Sequence, residues 1–76
     1  MEEKILSLLS EKIPEIDFGA SDTLIEDGIL DSLTITTIIA ELSMEFGVMI
    51  PVEQINEDNF NSVAAMARLV SSLQEQ

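Results

Sequence analysis

Apolar residues recur with the period of a helix in three stretches of this chain. In residues 2–13, Ile5, Leu8, Leu9 and Ile13 share one face, and Glu2, Glu3, Lys4, Glu11 and Lys12 fill the rest. The leading glutamates suit the positive end of a helix dipole. Pro14 ends the stretch, because the residue before a proline is pushed out of the α region. Residues 32–46 pose a conflict: Thr34 to Ile39 are all β-branched, which favours a strand. Yet Ile35, Ile38, Ile39, Leu42 and Phe46 fall at i, i+3, i+4, i+7 and i+11, one face of a helix. The period decides for a helix, since intrinsic propensity is the weaker guide, and Gly47 follows as a suitable C-terminal cap. Residues 62–74 form the last stretch, with Val63, Met66, Ala67, Val70 and Leu73 on one face and Ser62 or Asn61 as N-cap.

Between the first two helices lies a long connection, residues 14–31, holding Pro14, Gly19, Gly28 and several Asp and Ser residues. Loops of this length are functional or disordered. Ile16, Phe18, Leu24, Ile25, Ile29 and Leu30 are apolar anchors that argue for order. Val48 to Pro51 reads as extended loop, and Asn56 to Phe60 as a short helical turn. The expected fold is all-α: one domain over residues 1–76, a bundle of three main helices plus a short helix before the last one. Its expected core is Ile5, Leu8, Leu9, Ile38, Ile39, Leu42, Phe46, Val63, Met66, Ala67 and Val70.

Charge excludes several kinds of partner. Fifteen acidic residues face three basic ones, Lys4, Lys12 and Arg68, for a net charge of −12. Phosphate backbones and anionic membranes repel such a chain, so no nucleic acid and no stable membrane insertion are expected. Basic protein surfaces would attract it. A mean hydropathy of +0.28 argues against disorder. Met1-Glu2-Glu3-Lys4 is not the basic start of a signal peptide, and no run reaches the roughly 20 apolar residues of a membrane span. A cytoplasmic monomer is expected.

Chemistry is limited by what is missing. With no histidine and no cysteine, a serine nucleophile lacks its usual base and zinc its usual ligands. Glu26 to Asp31 lacks the alternating ligands of a calcium loop, and divalent cations would bind there weakly and adventitiously only if Glu26, Asp27 and Asp31 cluster at the loop–helix junction. No catalytic residue and no metal site are expected. One stretch stands out, Asp27-Gly28-Ile29-Leu30-Asp31-Ser32-Leu33, which sets a serine where the long loop enters the second helix. Ser32 is either an N-cap or a hydroxyl presented to another protein for modification. A phosphate ester there would face the free N–H groups of a helix start.

Asp31-Ser32-Leu33 in this setting resembles the phosphopantetheine attachment site of the acyl carrier protein family. The resemblance covers nearly the whole chain, including Phe46-Gly47-Val48-Met49-Ile50-Pro51 and the closing helix. It implies that Ser32 carries a 4′-phosphopantetheine arm, whose thiol holds an acyl or aminoacyl group as a thioester. It also implies three kinds of partner: a phosphopantetheinyl transferase supplying the arm from coenzyme A, an acyl- or aminoacyl-activating ligase, and a downstream acyl-accepting enzyme. Asp31 matches the aspartate that helps place the transferase's metal ion, and Leu33 the apolar partner contact beside the arm. Only Glu41 and Glu45 charge the second helix, fewer acids than in fatty-acid carriers. Phe60-Asn61-Ser62 before the last helix resembles D-alanyl and other stand-alone carriers. The pattern therefore points to the D-alanyl or stand-alone type, with fatty-acid or polyketide synthesis as the alternative. An unmodified acidic adaptor or inhibitor is the rival from another class.

Overall fold

Four α-helices and one 3₁₀ turn account for the regular structure of the computed structural model, which describes residues 1–75. They are α1 (Glu2–Lys12), α2 (Ser32–Phe46), α3 (Glu57–Phe60) and α4 (Val63–Gln74), with the 3₁₀ turn at Val52–Gln54 between α2 and α3. α1, α2 and α4 pack on one another, and α3 packs on α4. This is the expected bundle of three main helices with a short one before the last. The 3₁₀ turn lies between Val48–Pro51, read from sequence as extended loop, and the short helical turn, at residues to which the pattern assigns no element.

The β-branched run in α2 is helical because its isoleucines are needed inside and its threonines have a use outside. Ile38 is fully buried with Leu42, while Ile35 and Ile39 are half-buried against the same core. Thr36 Oγ1 donates to the Ser32 carbonyl at 2.8 Å and Thr37 Oγ1 to the Leu33 carbonyl at 3.1 Å, bonds within the helix that satisfy the exposed hydroxyls. Gly47 ends the helix at φ 64°, the left-handed conformation that glycine adopts without a Cβ penalty.

The expected core is largely observed, with differences at its edges. Leu8, Ile39 and Phe46 are half-buried rather than buried. Of the loop anchors, Phe18, Leu24 and Leu30 are buried and join the core beside Ile13, whereas Ile29 is exposed. Gly28, at φ 74°, makes the turn after which Leu30 re-enters the core. No polar side chain is buried among the described residues.

The loop is also fastened by a side chain that sequence patterning did not single out for this role. Asn61 Oδ1 accepts from the backbone N–H of Ile25 at 2.9 Å and of Glu26 at 3.3 Å, and the Asn61 carbonyl accepts from the Leu24 N–H at 2.8 Å. Flanking it, Phe60 is buried, and Ser62 caps α4 by accepting from the Ala65 N–H at 3.0 Å. Phe60-Asn61-Ser62 thus fills the core, clamps the loop and starts the last helix. Asn61→Ala removes a partly shielded bond to the Ile25 N–H and an exposed one to the Glu26 N–H, and is expected to cost about 0.5–1.5 kcal/mol. A lower urea midpoint at unchanged slope would record that loss. An unmoved midpoint would mean that the apolar anchors hold the loop alone.

Candidate functional site

The head of α2 is built by Asp31, not by Ser32. Asp31 has extended backbone, φ −107° and ψ 179°, and its Oδ1 accepts from the Thr34 N–H at 2.8 Å, which makes it the N-cap. The reading of Ser32 as an N-cap is therefore corrected: Ser32 is the first helical residue, one position too late to cap. Its side chain is exposed, and its hydroxyl enters no hydrogen bond among the described residues. Leu33 follows at 80 % exposure, so it does not pack in the core. The structure thus presents Asp31, Ser32 and Leu33 together on the surface.

The helix start holds a carboxylate of its own. The Asp31 carboxyl is held below the ordinary aspartate range, first by the backbone hydrogen bond from Thr34. A phosphate ester on Ser32 would share the positive end of α2 with this carboxylate, rather than meet a vacant set of N–H groups.

Glu26, Asp27 and Asp31 do not cluster at the loop–helix junction. Asp27 turns back into the loop, where its Oδ2 accepts from Ser21 Oγ and Thr23 Oγ1, each at 2.8 Å. Those two bonds, with Thr23 the larger, hold its carboxyl below the usual range. Glu26 instead faces Glu57 of α3. The main cause raising the Glu57 carboxyl above the ordinary glutamate range is the neighbouring Glu26 carboxylate, which can accept a hydrogen bond only from protonated Glu57, with desolvation and the charges of Glu26 and Asp58 adding to it. No group of three or more acidic side chains among the described residues is arranged to hold a metal ion.

These opposed shifts give stability a maximum in pH. Glu57 binds its proton more tightly folded than unfolded, so its penalty is present at neutral pH and disappears as pH falls through its raised value. Asp27 and Asp31 bind theirs less tightly folded, so their contribution is present above ordinary aspartate values and is lost as pH falls through the lowered ones. The melting temperature is expected to rise from pH 7 into mild acid and to fall below the aspartate range. Calorimetry across that range would check it, and a steady decline from neutrality would refute it.

Beside Ser32, one side of α2 is exposed and uncharged. Leu33, Thr36, Thr37, Ala40 and Met44 are exposed there, with Met44 at 73 %. Glu41 is half-buried, and Glu45 pairs with Lys4 at 3.4 Å. A chain of net charge −12 therefore offers a neutral strip at the one hydroxyl that its fold projects from a helix start.

Comparison with known proteins bears on the chain as a whole. A family model described as "Phosphopantetheine attachment site" matches residues 3–70. The D-alanyl carrier protein of Lactobacillus delbrueckii subsp. bulgaricus is 30 % identical over 78 residues, covering 100 % of this chain and 96 % of the relative. The D-alanyl carrier protein of Leuconostoc mesenteroides is 30 % identical over 74 residues, 96 % of this chain and 95 % of that one. The D-alanyl carrier protein of Streptococcus pyogenes is 28 % identical over 75 residues, 97 % and 95 % of the two chains. No solved structure matches the chain significantly.

Proposed function

This chain belongs to the phosphopantetheine attachment-site family and is a non-catalytic carrier protein, and from that premise we propose that Ser32 bears the arm and that its cargo is an aminoacyl group, D-alanine foremost. The observation that carries the Ser32 assignment is a hydroxyl at the first position of α2, exposed and without a hydrogen bond among the described residues, between a capping aspartate and an exposed leucine. The surroundings fit the arm. The hydroxyl gives up its proton and gains a bond to phosphorus, while the bond from that phosphorus to the nucleotide part of coenzyme A breaks. Once bound, the arm supplies a thiol for thioester exchange. The protein supplies position: a rigid helix start, a neutral strip for docking and a loop held by the Asn61 clamp.

The cargo assignment rests on the full-length likeness to D-alanyl carriers and on the neutral strip of α2. That strip fits a partner that docks by apolar contact better than one that reads acidic charge. A phosphopantetheinyl transferase and an aminoacyl-activating ligase are the partners this requires. Among the described residues, no helix is long and apolar enough to cross a membrane.

Intact mass after incubation with a phosphopantetheinyl transferase and coenzyme A tests attachment, and fragmentation locates it. The holo protein is then offered to a D-alanine-activating ligase with ATP, and separately to a malonyl transferase. Preferential D-alanylation supports the cargo assignment. Preferential malonylation would move the protein to the fatty-acid or polyketide type. No mass gain at all would remove Ser32 as a carrier site.

Asp31→Asn separates two roles at one position. Asparagine caps a helix about as well as aspartate, so the melting temperature is expected to hold. The loss of charge is expected to slow arm attachment, if Asp31 helps to place the transferase's metal ion. Initial rates of mass gain would show it, and an unchanged rate would leave Asp31 a cap alone.

A further inference from the structure

Ser32 is held from its N-terminal side by a knot in the long loop. Gly28 turns the chain at φ 74°, and the N–H groups of Ile29 and Leu30 then both donate to the Leu24 carbonyl, at 2.9 and 3.1 Å. Leu30 is buried, Asp31 caps α2, and Ser32 follows. The Leu24 N–H donates in turn to the Asn61 carbonyl at 2.8 Å. The path into the attachment position is therefore set by where the turn over residues 24–28 stands.

One carboxylate closes that turn. The Asp27 N–H donates to the Thr23 carbonyl at 2.8 Å, and Asp27 Oδ2 accepts from the hydroxyls of Ser21 and Thr23, each at 2.8 Å. Ser21 Oγ also accepts from the Thr23 N–H at 3.0 Å. Side chains and backbone thus form one ring, five positions before Ser32. Both hydroxyl protons go to the same oxygen, and Asp27 Oδ1 takes no bond among the described residues. The ring therefore needs an oxygen acceptor at this place, and the charge serves only to strengthen the bonds.

We propose that Asp27 is a positioning residue for arm attachment: through Ser21 and Thr23 it fixes the Gly28 turn, and with it the orientation in which Ser32 meets the transferase. The inference rests on Ser32 as the attachment serine. A misplaced nucleophile slows the chemical step while leaving binding of the carrier nearly as it was. A carboxylate that met a basic transferase directly would act instead on KM, in a salt-dependent way.

The test measures kcat and KM of a phosphopantetheinyl transferase for the full chain at saturating coenzyme A, with folding checked by circular dichroism. Asp27→Ala removes the acceptor and is expected to lower kcat by roughly tenfold or more, with KM little changed. Asp27→Asn can set its amide oxygen where Oδ2 stands, keeping both bonds without the charge, and should recover most of kcat. Ser21→Ala/Thr23→Val removes both donors and keeps the charge. It should match Asp27→Ala, and the triple variant should fall no further. Should Asp27→Ala fail to fold, Asp27→Asn and the hydroxyl pair variant carry the comparison alone. Amide exchange at Ile29 and Leu30 should quicken in the variants that lose kcat and in no other. An unchanged kcat in Ser21→Ala/Thr23→Val would overturn the positioning role and leave the carrier assignment standing. So would an Asp27→Asn that falls as far as Asp27→Ala, with a raised KM that salt abolishes. An unsubstituted chain that gains no arm would overturn the Ser32 assignment and this inference with it.

Discussion

Ser32→Ala is expected to abolish arm attachment while leaving the far-ultraviolet circular dichroism spectrum and the melting curve nearly unchanged. Both halves follow from where the side chain stands. The hydroxyl enters no hydrogen bond among the described residues, and the helix start is capped by Asp31. Removing the oxygen therefore leaves no group unpaired, and a surface change of this kind stays within about 0.5 kcal/mol. The other seven serines are poor substitutes. Ser62 caps α4, and Ser21 donates to Asp27. Ser43 and Ser71 are half-buried within helices, while Ser7, Ser10 and Ser72 lie inside helices rather than at a loop–helix entry. Intact mass after exhaustive incubation with transferase and coenzyme A would check the result. A surviving mass gain would move the site elsewhere, and a collapsed spectrum would show that Ser32 supports the fold after all.

How far this arrangement was legible can be judged residue by residue. The helix over residues 32–46 was read from period against propensity, and the period prevailed because burial of Ile38 and Leu42 outweighs the modest helical cost of β-branched side chains. Gly47 and Ser62 act at the ends where their chemistry placed them. The last helix was read too narrowly. A single stripe assumes a single neighbour, but α4 packs against α1, α2 and α3, so Ala65 and Leu69 are buried as well. Ile29 failed as an anchor because the turn at Gly28 directs Leu30 inward and leaves its neighbour exposed. The 3₁₀ turn at Val52–Gln54 is a single turn, too short to leave any periodic signal.

At the site, the sequence showed the residues but not their division of labour. Asp31 and Ser32 are both favoured N-caps, and only backbone geometry tells which one caps. Asn61 carries the least legible role. Its clamp joins positions 36 residues apart, a distance over which local pattern says nothing. The available signal was an asparagine between an aromatic residue and a capping serine, where a side-chain amide can satisfy backbone N–H groups that no helix or strand accounts for. The approach of the loop backbone at Glu26 to α3 was hidden for the same reason, since Asn61 is what joins them.

Phe60→Ala is expected to be the most destabilising single substitution discussed, at about 3–5 kcal/mol for loss of a fully buried aromatic side chain. Small domains have only about 0.05–0.15 kcal/mol of stability per residue, so this loss takes a large part of the total. The consequences extend beyond the cavity left behind. α3 has four residues, far below the length at which a helix persists alone, and Phe60 is its one buried side chain. Its N-cap bond, Asn56 Oδ1 accepting from the Asn59 N–H at 2.9 Å, cannot hold α3 on α4 without that anchor. Once α3 loosens, Asn61 moves with it and the loop loses its clamp. Phe60→Ala and Asn61→Ala should therefore be less than additive, since the first already disables much of what the second removes. Urea unfolding of the two single variants and the double would measure the coupling. Phe60→Leu should recover most of the lost stability, because it restores bulk in the core. Strict additivity of the two alanine variants would show that α3 and the loop are held independently, and that the Phe60-Asn61-Ser62 segment does not act as one unit.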